Sequence, residues 1–496
     1  MNTIESDASE VLSLARTLKN SFAPINRIPL EILSLIPDHC TEGDVGQALI
    51  ALTHVCRGWR DVFTSRPSLW ATLDLRNAKK TRTYLQRSKS SPLGIVLCEY
   101  EGGDEGYLDD SFSLVIPHIS RLKSLELHTI VFPHFLKNFR CHAPFLERLM
   151  IHTVFRHPDL ESILFDCGLP SLRELSIGNG FIPLPWKNMA NLRVFEFSHC
   201  TGCDITQLLD LFESSPLLQT VKLLDSIPSS SNAPPERLVL LPHLNHLVIH
   251  ASGSHSVLLN HLRIPIGVSM SQSFHFDVDE SPLLDYLPEA STNLMNVSHV
   301  TTIDLRFDWK QKLVQLSGPS GSLRVSVHWD DTGTTPPYTM DRWILQSLSM
   351  SISSTAHELS ISRYVHPILA GIDKCPVFRT LSSMENIRTL TLDECYNQPF
   401  VLALNPEDNP SRLVLCPNLE GLILRVKFWD QIYTKHLVRM AESRASRGVG
   451  ISSIMITGPD RLVTGELSEL REYVNRVEYS VDDTKPAWPV HSCWCR

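Results

Sequence analysis

The sequence lacks the features that place a chain in a membrane or on nucleic acid. No apolar run in its 496 residues approaches the length of about eighteen residues that a membrane-spanning helix needs. The net charge is −9, whereas nucleic-acid binders usually carry a basic excess. Residues 1–10 are acidic and polar, where a cleavable signal would need a basic stretch followed by an apolar one. We therefore expect a cytoplasmic or nuclear protein, with no membrane and no nucleic-acid partner.

Cysteine and histidine are present but lack the spacing of a metal site. The twelve cysteines follow no regular interval, which favours free thiols in a reducing compartment over a disulfide framework. Cys200 and Cys203 form a lone C-x-x-C, and a zinc site would need a second pair. Two further groups are weak candidates for a metal site. The first is a cluster of histidines without carboxylates placed for catalysis: His243, His246, His250 and His255. The second lies in a terminal tail, which is commonly disordered: His491, Cys493 and Cys495. We expect no metal and no cofactor.

The sequence also lacks recognised arrangements of catalytic residues. Gly318-Pro319-Ser320-Gly321 has no lysine after it, so it is not a phosphate-binding loop. No Gly-x-Ser-x-Gly nucleophile elbow occurs. No nucleophile, base and orienting residue fall into a known pattern. These absences predict that the protein is not an enzyme.

Residues 25–75 carry a helical apolar pattern. Pro29 has its φ angle preset for a first helical turn, so a helix is predicted to start there. Apolar residues then recur every three or four positions, which predicts two further helices sharing one apolar stripe. These positions are Leu30, Leu33 and Ile36, and then Leu49, Leu52, Val55 or Cys56, Trp59 and Phe63. The pattern predicts a module of three short helices.

This stretch resembles an F-box. The residues that carry the likeness are Ile28-Pro29-x-Glu31-Ile32-Leu33, Val55-Cys56-x-x-Trp59-Arg60 and Ser68-Leu69-Trp70, in that order. The segment 38–46 is longer than the usual connection between the first two F-box helices. The resemblance implies docking to a Skp-type adaptor, and through it to a cullin in an SCF-type ubiquitin ligase. The adaptor contacts that it implies are Ile28, Pro29, Leu30, Ile32, Leu33, Val55, Trp59 and Leu69.

The small size of the module indicates a protein-binding surface independently of that resemblance. A domain of this size buries only part of its surface, so some apolar side chains between Ile28 and Trp70 should stay exposed unless a partner covers them. Trp and other large anchors typically form the centre of such an interface. The alternative is that the three helices pack wholly on the C-terminal domain.

Two helical segments flank the module. Residues 1–24 contain Asp7-Ala8-Ser9-Glu10, which has capping-box character, followed by Val11, Leu14 or Ala15, and Leu18 on one helical face. We expect a short amphipathic helix that lies on the first repeats. Residues 76–92 hold six basic residues and no acidic one, which predicts an exposed basic linker helix with a solvated charged face.

From Leu122 onward an apolar window recurs, with apolar residues at its first, fourth and sixth positions. The clearest windows begin 20 to 26 residues apart, which is the leucine-rich-repeat range. Each window predicts a short strand with one buried face, after which the chain returns to begin the next parallel strand. Clear windows begin at Leu122, Leu146, Leu172, Leu192, Leu218 and Leu244, and looser ones at Val300, Ile387, Leu419 and Ile451. Weaker candidates lie near Leu73, Ile95, Phe274, Val325, Leu359 and Val477.

The repeats are irregular. Cys200 and Cys395 match the Asn-or-Cys position that follows the strand in regular repeats, but other windows do not. Inserts at 226–236, 279–296 and 330–337 predict loops. The predicted exposed positions of the strands carry charges of both signs. Their side chains either bind a protein surface or are simply solvated. They are Lys123, Glu126, Arg148, Arg173, Glu174, Glu196 and Lys222.

The expected fold class is α/β. An N-terminal helical segment (1–24) precedes a three-helix F-box (25–75) and a basic linker helix (76–92). An irregular right-handed leucine-rich-repeat solenoid (93–480) follows, forming a horseshoe with parallel strands on its concave face, and 481–496 form a tail.

The chain combines the F-box motif with two further segments, Lys80-Thr81-Arg82-Thr83-Tyr84-Leu85-x-Arg87-Ser88 and, among the degenerate repeats, Leu184-Pro185-Trp186-Lys187-Asn188-Met189. This combination is similar to the F-box proteins of mushroom-forming fungi. That likeness implies the substrate-recognition subunit of an SCF-type ligase, with the adaptor on the F-box and an unknown protein substrate on the solenoid. The alternative is a non-catalytic interaction scaffold that acts outside a ligase.

Overall fold

A computed structural model describes most of the chain as a mixed α/β fold. The described residues are 2–33, 35–39, 45–98, 106–129, 142–153, 164–179, 184–200, 204–226, 237–251, 256–275, 293–308, 311–328, 355–363, 381–382, 384–395, 398–408, 413–426, 431–458 and 467–481. The C-terminal tail, most of the three predicted loops, Cys203 and His255 lie outside these ranges.

The described chain forms two compact units. The first contains residues 1–202 and 214–216, and the second contains 203–213 and 217–496. This division runs through the predicted array of windows and not at residue 75 or 92. The predicted domain boundaries therefore stay predictions.

Helices, most of them short, dominate the start of the first unit. They are α1 (Asn2–Ser21), α2 (Leu30–Leu33), α3 (Ile36–His39), α4 (Val45–Thr53), α5 (Arg57–Thr64), α6 (Ala78–Ser88) and α7 (Gly106–Val115), with 3₁₀ turns at Pro24–Arg27, Pro67–Trp70 and Ile116–Arg121. The first predicted helix of the module is divided into two single turns, α2 and α3. Helix α1 begins at Asn2, so Asp7 does not cap it and that expectation was wrong.

Parallel strands complete the first unit. They are β1 (Thr72–Asp74), β2 (Leu93–Cys98), β3 (Leu122–Thr129), β4 (Arg148–Thr153), β5 (Glu174–Gly178) and β6 (Val194–Ser198). Each pairs with the next in chain order, and Leu125, Leu149, Leu175 and Phe195 stand side by side in one buried row. Alternation of apolar and polar residues sets this register, because a shift by one position would expose the whole row.

The second unit also contains a mostly parallel sheet. Its strands are β7 (Thr220–Leu224), β9 (His246–Ala251), β11 (Ser269–His275), β12 (Thr302–Phe307), β13 (Gln311–Gly318), β14 (Gly321–His328), β15 (Glu358–Ser362), β16 (Thr389–Asp393), β17 (Gly421–Arg425), β18 (Ser453–Gly458) and β19 (Arg476–Val481). Strands β8 (Val239–Leu240) and β10 (Leu262–Arg263) form a separate parallel pair. The helices are α8 (Ile205–Ser214), α9 (Ser256–Asn260), α10 (Gln398–Leu404) and α11 (Gln431–Ser446).

One strand departs from the predicted parallel arrangement. Strand β13 runs antiparallel to both β12 and β14, and the three form a meander between β11 and β15. The tight turn between β13 and β14 joins the facing residues Gly318 and Gly321 through Pro319 and Ser320. Gly321 has a φ of +127°, which glycine adopts at little cost. The expectation of parallel strands alone was therefore wrong here, because no apolar window marks β13.

The predicted windows supply buried core residues in both units. The first leucine of each clear window, from Leu122 to Leu244, is at most 3% exposed. The residue after several strands adopts a left-handed backbone, as Asn179 and Arg363 do. Their N–H groups donate to the last carbonyl of the neighbouring strand, Asn179 to Ser198 and Arg363 to Asp393, each at 2.8 Å. This repeated turn ends those strands in the same way, although its sequence varies.

A buried arginine joins three segments of the second unit. Arg444 of α11 is fully buried, and its guanidinium donates to the carbonyls of Leu415 and Cys416 at 2.8 Å each, with a longer contact of 3.5 Å to Leu404. Burial raises the pKa of the Cys416 thiol to about 12. The Arg444 side chain thus supplies hydrogen bonds to main-chain carbonyls at the end of α10 and before β17.

Candidate protein-binding surfaces

Hydrogen bonds from two indole groups hold the helical module together. Trp59 of α5 donates through Nε1 to Oδ1 of Asn26 at 2.6 Å, and its ring meets Phe63 edge-on at 5.9 Å. Trp70 donates through Nε1 to the carbonyl of Phe63 at 2.8 Å. Arg60 donates to the carbonyl of Thr53 at 3.0 Å and so joins α5 to α4. The spacing of Trp59 and Phe63 on one helix allows both to point into the module.

The turn at Pro29 presents apolar residues on both sides of a buried one. The carbonyl of Pro29 accepts the N–H groups of Ile32 and Leu33, each at 3.0 Å, so Pro29 begins the single turn of α2. Leu33 points inward and is buried, whereas Leu30 and Ile32, which project to either side of it along the helix, are more than half exposed. A turn this short cannot hide three large apolar side chains.

The eight predicted adaptor contacts divide into three groups. Leu33 and Trp59 are buried, and Ile28 and Leu69 are half-buried. Four positions are exposed: Pro29, Leu30, Ile32 and Val55. The exposed group marks the part of the predicted surface that a partner can reach in this conformation. Contact of the eight residues with an adaptor stays a prediction.

Other apolar residues of the module besides the predicted contacts are exposed, and one large apolar residue of the module is buried. Phe22, Ile25, Leu35 and Ile50 are also exposed, by 36% or more. Trp70, which the sequence places among the residues too numerous to bury, is fully buried against Tyr84 of α6, with Arg87 over its ring at 4.2 Å. Part of the predicted basic linker thus packs on the module. Nothing in the sequence around Phe22 predicted that its side chain would be exposed, apart from its position near the motif.

Charged side chains on the strands of the first unit pair with one another. Arg148 lies between two carboxylates of adjacent strands, with Nε 2.5 Å from Glu174 and Nη1 3.3 Å from Glu126. Arg148 donates to both carboxylates, and these hydrogen bonds, above all the one accepted by Glu174, raise the pKa of Arg148. Lys123 lies 3.6 Å from Glu147. Four residues predicted as surface readers therefore already have partners within the sheet or next to it.

Two histidines of adjacent strands lie side by side on the same face of the sheet. The rings of His128 and His152 have centroids 5.2 Å apart, and Nε2 of His152 lies 2.7 Å from the hydroxyl oxygen of Ser176. A Cβ at Gly178 would come within 2.7 Å of His152, so glycine leaves the space that this ring occupies. Burial, and secondarily His128, lowers the pKa of His152. The sequence windows did not single out this pair.

In the second unit, an uncharged band crosses the later strands. Ser360, Thr391, Ile423 and Met455 occupy one register row on β15 to β18, and Met455 is 41% exposed. Ion pairs border this band, including Arg363 with Asp308 and with Glu394. The row offers a protein partner small hydroxyl groups and two apolar side chains between charged margins.

The predicted metal candidates have structural explanations where they are described. Cys200 is buried, and its thiol donates to the carbonyls of Ser198 and Ile177 at 3.2 and 3.5 Å. Cys395 makes the equivalent contacts to Asp393 and Ile361. His243, His246 and His250 are exposed positions of a turn and a strand. No group of three or more His, Cys, Asp or Glu side chains in the described ranges could hold a metal ion.

No protein-family model matches the sequence, and no curated protein matches it. Within the portion of the chain that the structure covers, no helix is long and apolar enough to span a membrane.

Proposed function

We propose that the chain is the substrate-recognition subunit of an SCF-type ubiquitin ligase. Residues 25–75 act as an F-box that binds a Skp-type adaptor and, through it, a cullin. The stacked strands act as a leucine-rich-repeat solenoid that holds a protein substrate. The protein supplies no catalytic residue, and its contribution is to raise the effective concentration of the substrate near the ligase.

The exposed apolar surface on the helical module is the observation that carries this proposal. Leu30, Ile32 and Val55 are more than half exposed in a module whose neighbouring residues Leu33 and Trp59 are buried. Exposed apolar patches on folded modules commonly mark protein-binding sites. The motif order of the module matches the F-box, and strand stacks of this kind form extended protein-binding faces. A cytoplasmic or nuclear location fits this role.

The proposal assigns different tasks to the predicted contact residues. The exposed Pro29, Leu30, Ile32 and Val55 contact the adaptor directly, with Ile28 and Leu69 at the margin. Leu33 and Trp59 act by holding the module in shape, since they are buried. Substituting either of these two would mix loss of folding with loss of binding.

The test is the affinity of the full chain for a Skp-type adaptor, measured by titration calorimetry. A Leu30→Ser, Ile32→Ser, Val55→Ser triple variant removes side chains that are 58%, 53% and 54% exposed. Each interface anchor contributes about 2 kcal/mol on truncation, so we expect binding at least about a hundredfold weaker. A matched triple variant, Leu240→Ser, Ile266→Ser and Val257→Ser, changes the same residue types at 55%, 59% and 46% exposure in the second unit.

The two triple variants separate the possible outcomes. Loss of affinity in the first and wild-type affinity in the second supports the F-box assignment. Equal affinity in both, or no binding by a folded wild-type chain, contradicts it. Adaptor binding without recruitment of a cullin would instead favour a scaffold that acts outside a ligase.

A further inference from the structure

Two helices of the first unit expose a long face to solvent. In α1, every residue from 6 to 21 is exposed, which corrects the expectation that this helix lies on the first repeats. Its exposed side chains are apolar, acidic and basic in turn, so they indicate no single kind of partner. Helix α6 differs, because one of its faces packs on the helical module and the opposite face presents only polar and basic side chains.

The packing of α6 fixes which of its side chains face solvent. Its inward face consists of four buried residues: Thr81, Tyr84, Leu85 and Ser88. Residues three and four positions apart share a face of a helix, so the side chains between them point away from the module. The outward face consists of exposed polar residues, with the last of them at the C-terminal cap: Lys79, Arg82, Thr83, Gln86 and Lys89.

The six basic residues of the segment 76–92 divide by what they contact. Arg76 and Lys80 approach the carboxylate of Asp74, at 2.7 and 4.0 Å. Arg87 lies over the ring of Trp70. No carboxylate among the described residues pairs with the remaining three, and Asp74 is the single acidic residue between positions 62 and 98. These three are exposed on the outward face: Lys79, Arg82 and Lys89.

This arrangement of charges weakens α6 when nothing covers it. Lys79 lies in the first turn, which contains no acidic residue and where the helix dipole disfavours a cation. Lys79 and Arg82 are three positions apart, and like charges at this spacing repel each other on a helix surface. A bound anion would remove both penalties. Local arrangements that oppose stability in this way are expected at functional surfaces.

The composition of the outward face favours an acidic protein segment over other polyanions. Tyr84, the aromatic residue of α6, is buried, so no ring is presented for a nucleic-acid base to stack on. The face contains no large apolar residue that could enter a lipid surface. The net charge of −9 also opposes the approach of a long polyanion. Lys79 and Lys89 are about 15 Å apart along the helix axis, which a short extended peptide can cover.

We propose that the outward face of α6 binds an acidic segment of a partner protein. Carboxylates of the segment pair with Lys79, Arg82 and Lys89, and Thr83 and Gln86 between them offer hydrogen bonds to its main chain. Exposed ion pairs are individually weak and are screened by salt, so the affinity should be modest and should fall as salt is added. This proposal does not depend on the Skp-type adaptor or on ubiquitin transfer.

The test uses a fluorescein-labelled peptide of six glutamates, titrated with the full chain at low salt and followed by fluorescence anisotropy. The variant with Lys79→Glu, Arg82→Glu and Lys89→Glu should bind the peptide at least about tenfold more weakly.

The matched control makes the same change in net charge at exposed positions of the second unit, with Lys435→Glu, Arg439→Glu and Arg471→Glu. Its affinity should stay within about twofold of the wild type, because salt screens charges that lie far from the peptide.

Lys79→Glu alone separates binding from helix stability. It places an acidic residue in the first turn and an opposite charge beside Arg82, so amide hydrogen exchange of α6 without peptide should become slower. The affinity for the peptide should nevertheless fall. Faster exchange of α6 in this variant would show that Lys79 holds the helix together and would contradict the proposal.

Other results would also overturn the proposal. A wild type that binds no peptide does so, as does equal affinity of the wild type and the α6 triple variant. Tighter binding of a single-stranded oligonucleotide of the same charge would assign the face to nucleic acid. Residues 99–105 contain four acidic residues, and peptide binding that appears only when these are changed to amides would assign the face to the chain's own segment.

Discussion

The indole N–H of Trp59 donates to the side-chain oxygen of Asn26 at 2.6 Å and so joins two segments 33 positions apart. Asn26 lies in the 3₁₀ turn immediately before the Pro29 motif, and Trp59 is the buried centre of α5. The bond fixes the position of the motif on the body of the module. The apolar surface proposed to bind the adaptor depends on this arrangement.

Removing the acceptor should destabilise the module. Asn26→Leu leaves a buried indole N–H without its partner, which costs about 1–3 kcal/mol of unfolding free energy. Denaturant unfolding of the full chain, followed by tryptophan fluorescence, measures this loss.

The control is a double-mutant cycle with Trp59→Phe, which has no N–H to leave unpaired. In that background Asn26→Leu should cost much less than in the wild type. Costs that simply add would show that the bond does not hold the two segments together.

Arg444 makes a second prediction, in the second unit. Arg444→Met keeps an unbranched side chain but leaves the carbonyls of Leu415 and Cys416 without their buried donor. Each buried group left unpaired costs about 1–3 kcal/mol, so thermal unfolding should occur at clearly lower temperature.

Arg439→Met is the matched substitution on the exposed side of α11. It should change stability by no more than about 0.5 kcal/mol. If the two variants unfold alike, the buried guanidinium is not stabilising the joined segments.

The histidine pair predicts a dependence of stability on pH. The pKa of His152 in the folded chain lies below its ordinary value of 6.5, because burial and then His128 disfavour its charged form. The unfolded chain therefore takes up protons first as the pH falls below about 6.5. The free energy of unfolding should decrease through that range and level off below the folded pKa.

Denaturant unfolding between pH 7.5 and 5 measures this slope, and His152→Asn should reduce it. Burial also lowers the pKa of His118, so the comparison is made in a His118→Gln background. A slope that is unchanged by His152→Asn would contradict the assignment.

The sequence predicted the strands well wherever a window carries their register. Leu122, Leu175 and Leu390 sit in short segments of alternating apolar residues, and that alternation alone fixes which face is buried. Strand β13 was missed because its residues follow no window and its antiparallel pairing depends on the turn at Gly318 and Gly321.

The candidate surface could be predicted only in part. The motif located Leu30, Ile32 and Val55, but burial of Leu33, Trp59 and Trp70 depends on contacts between distant segments. Neither the Asn26 bond to Trp59 nor the space that Gly178 leaves for His152 has a local signature. Such pairings arise from packing, which a single sequence does not display.

Amide hydrogen exchange of the full chain, with and without a Skp-type adaptor, tests the central proposal most directly. The proposal predicts slower exchange in the adaptor complex at residues 28–35 and around Val55, with little change along the strands β3 to β6. Protection confined to the strands, or none at any position under saturating adaptor, would contradict it.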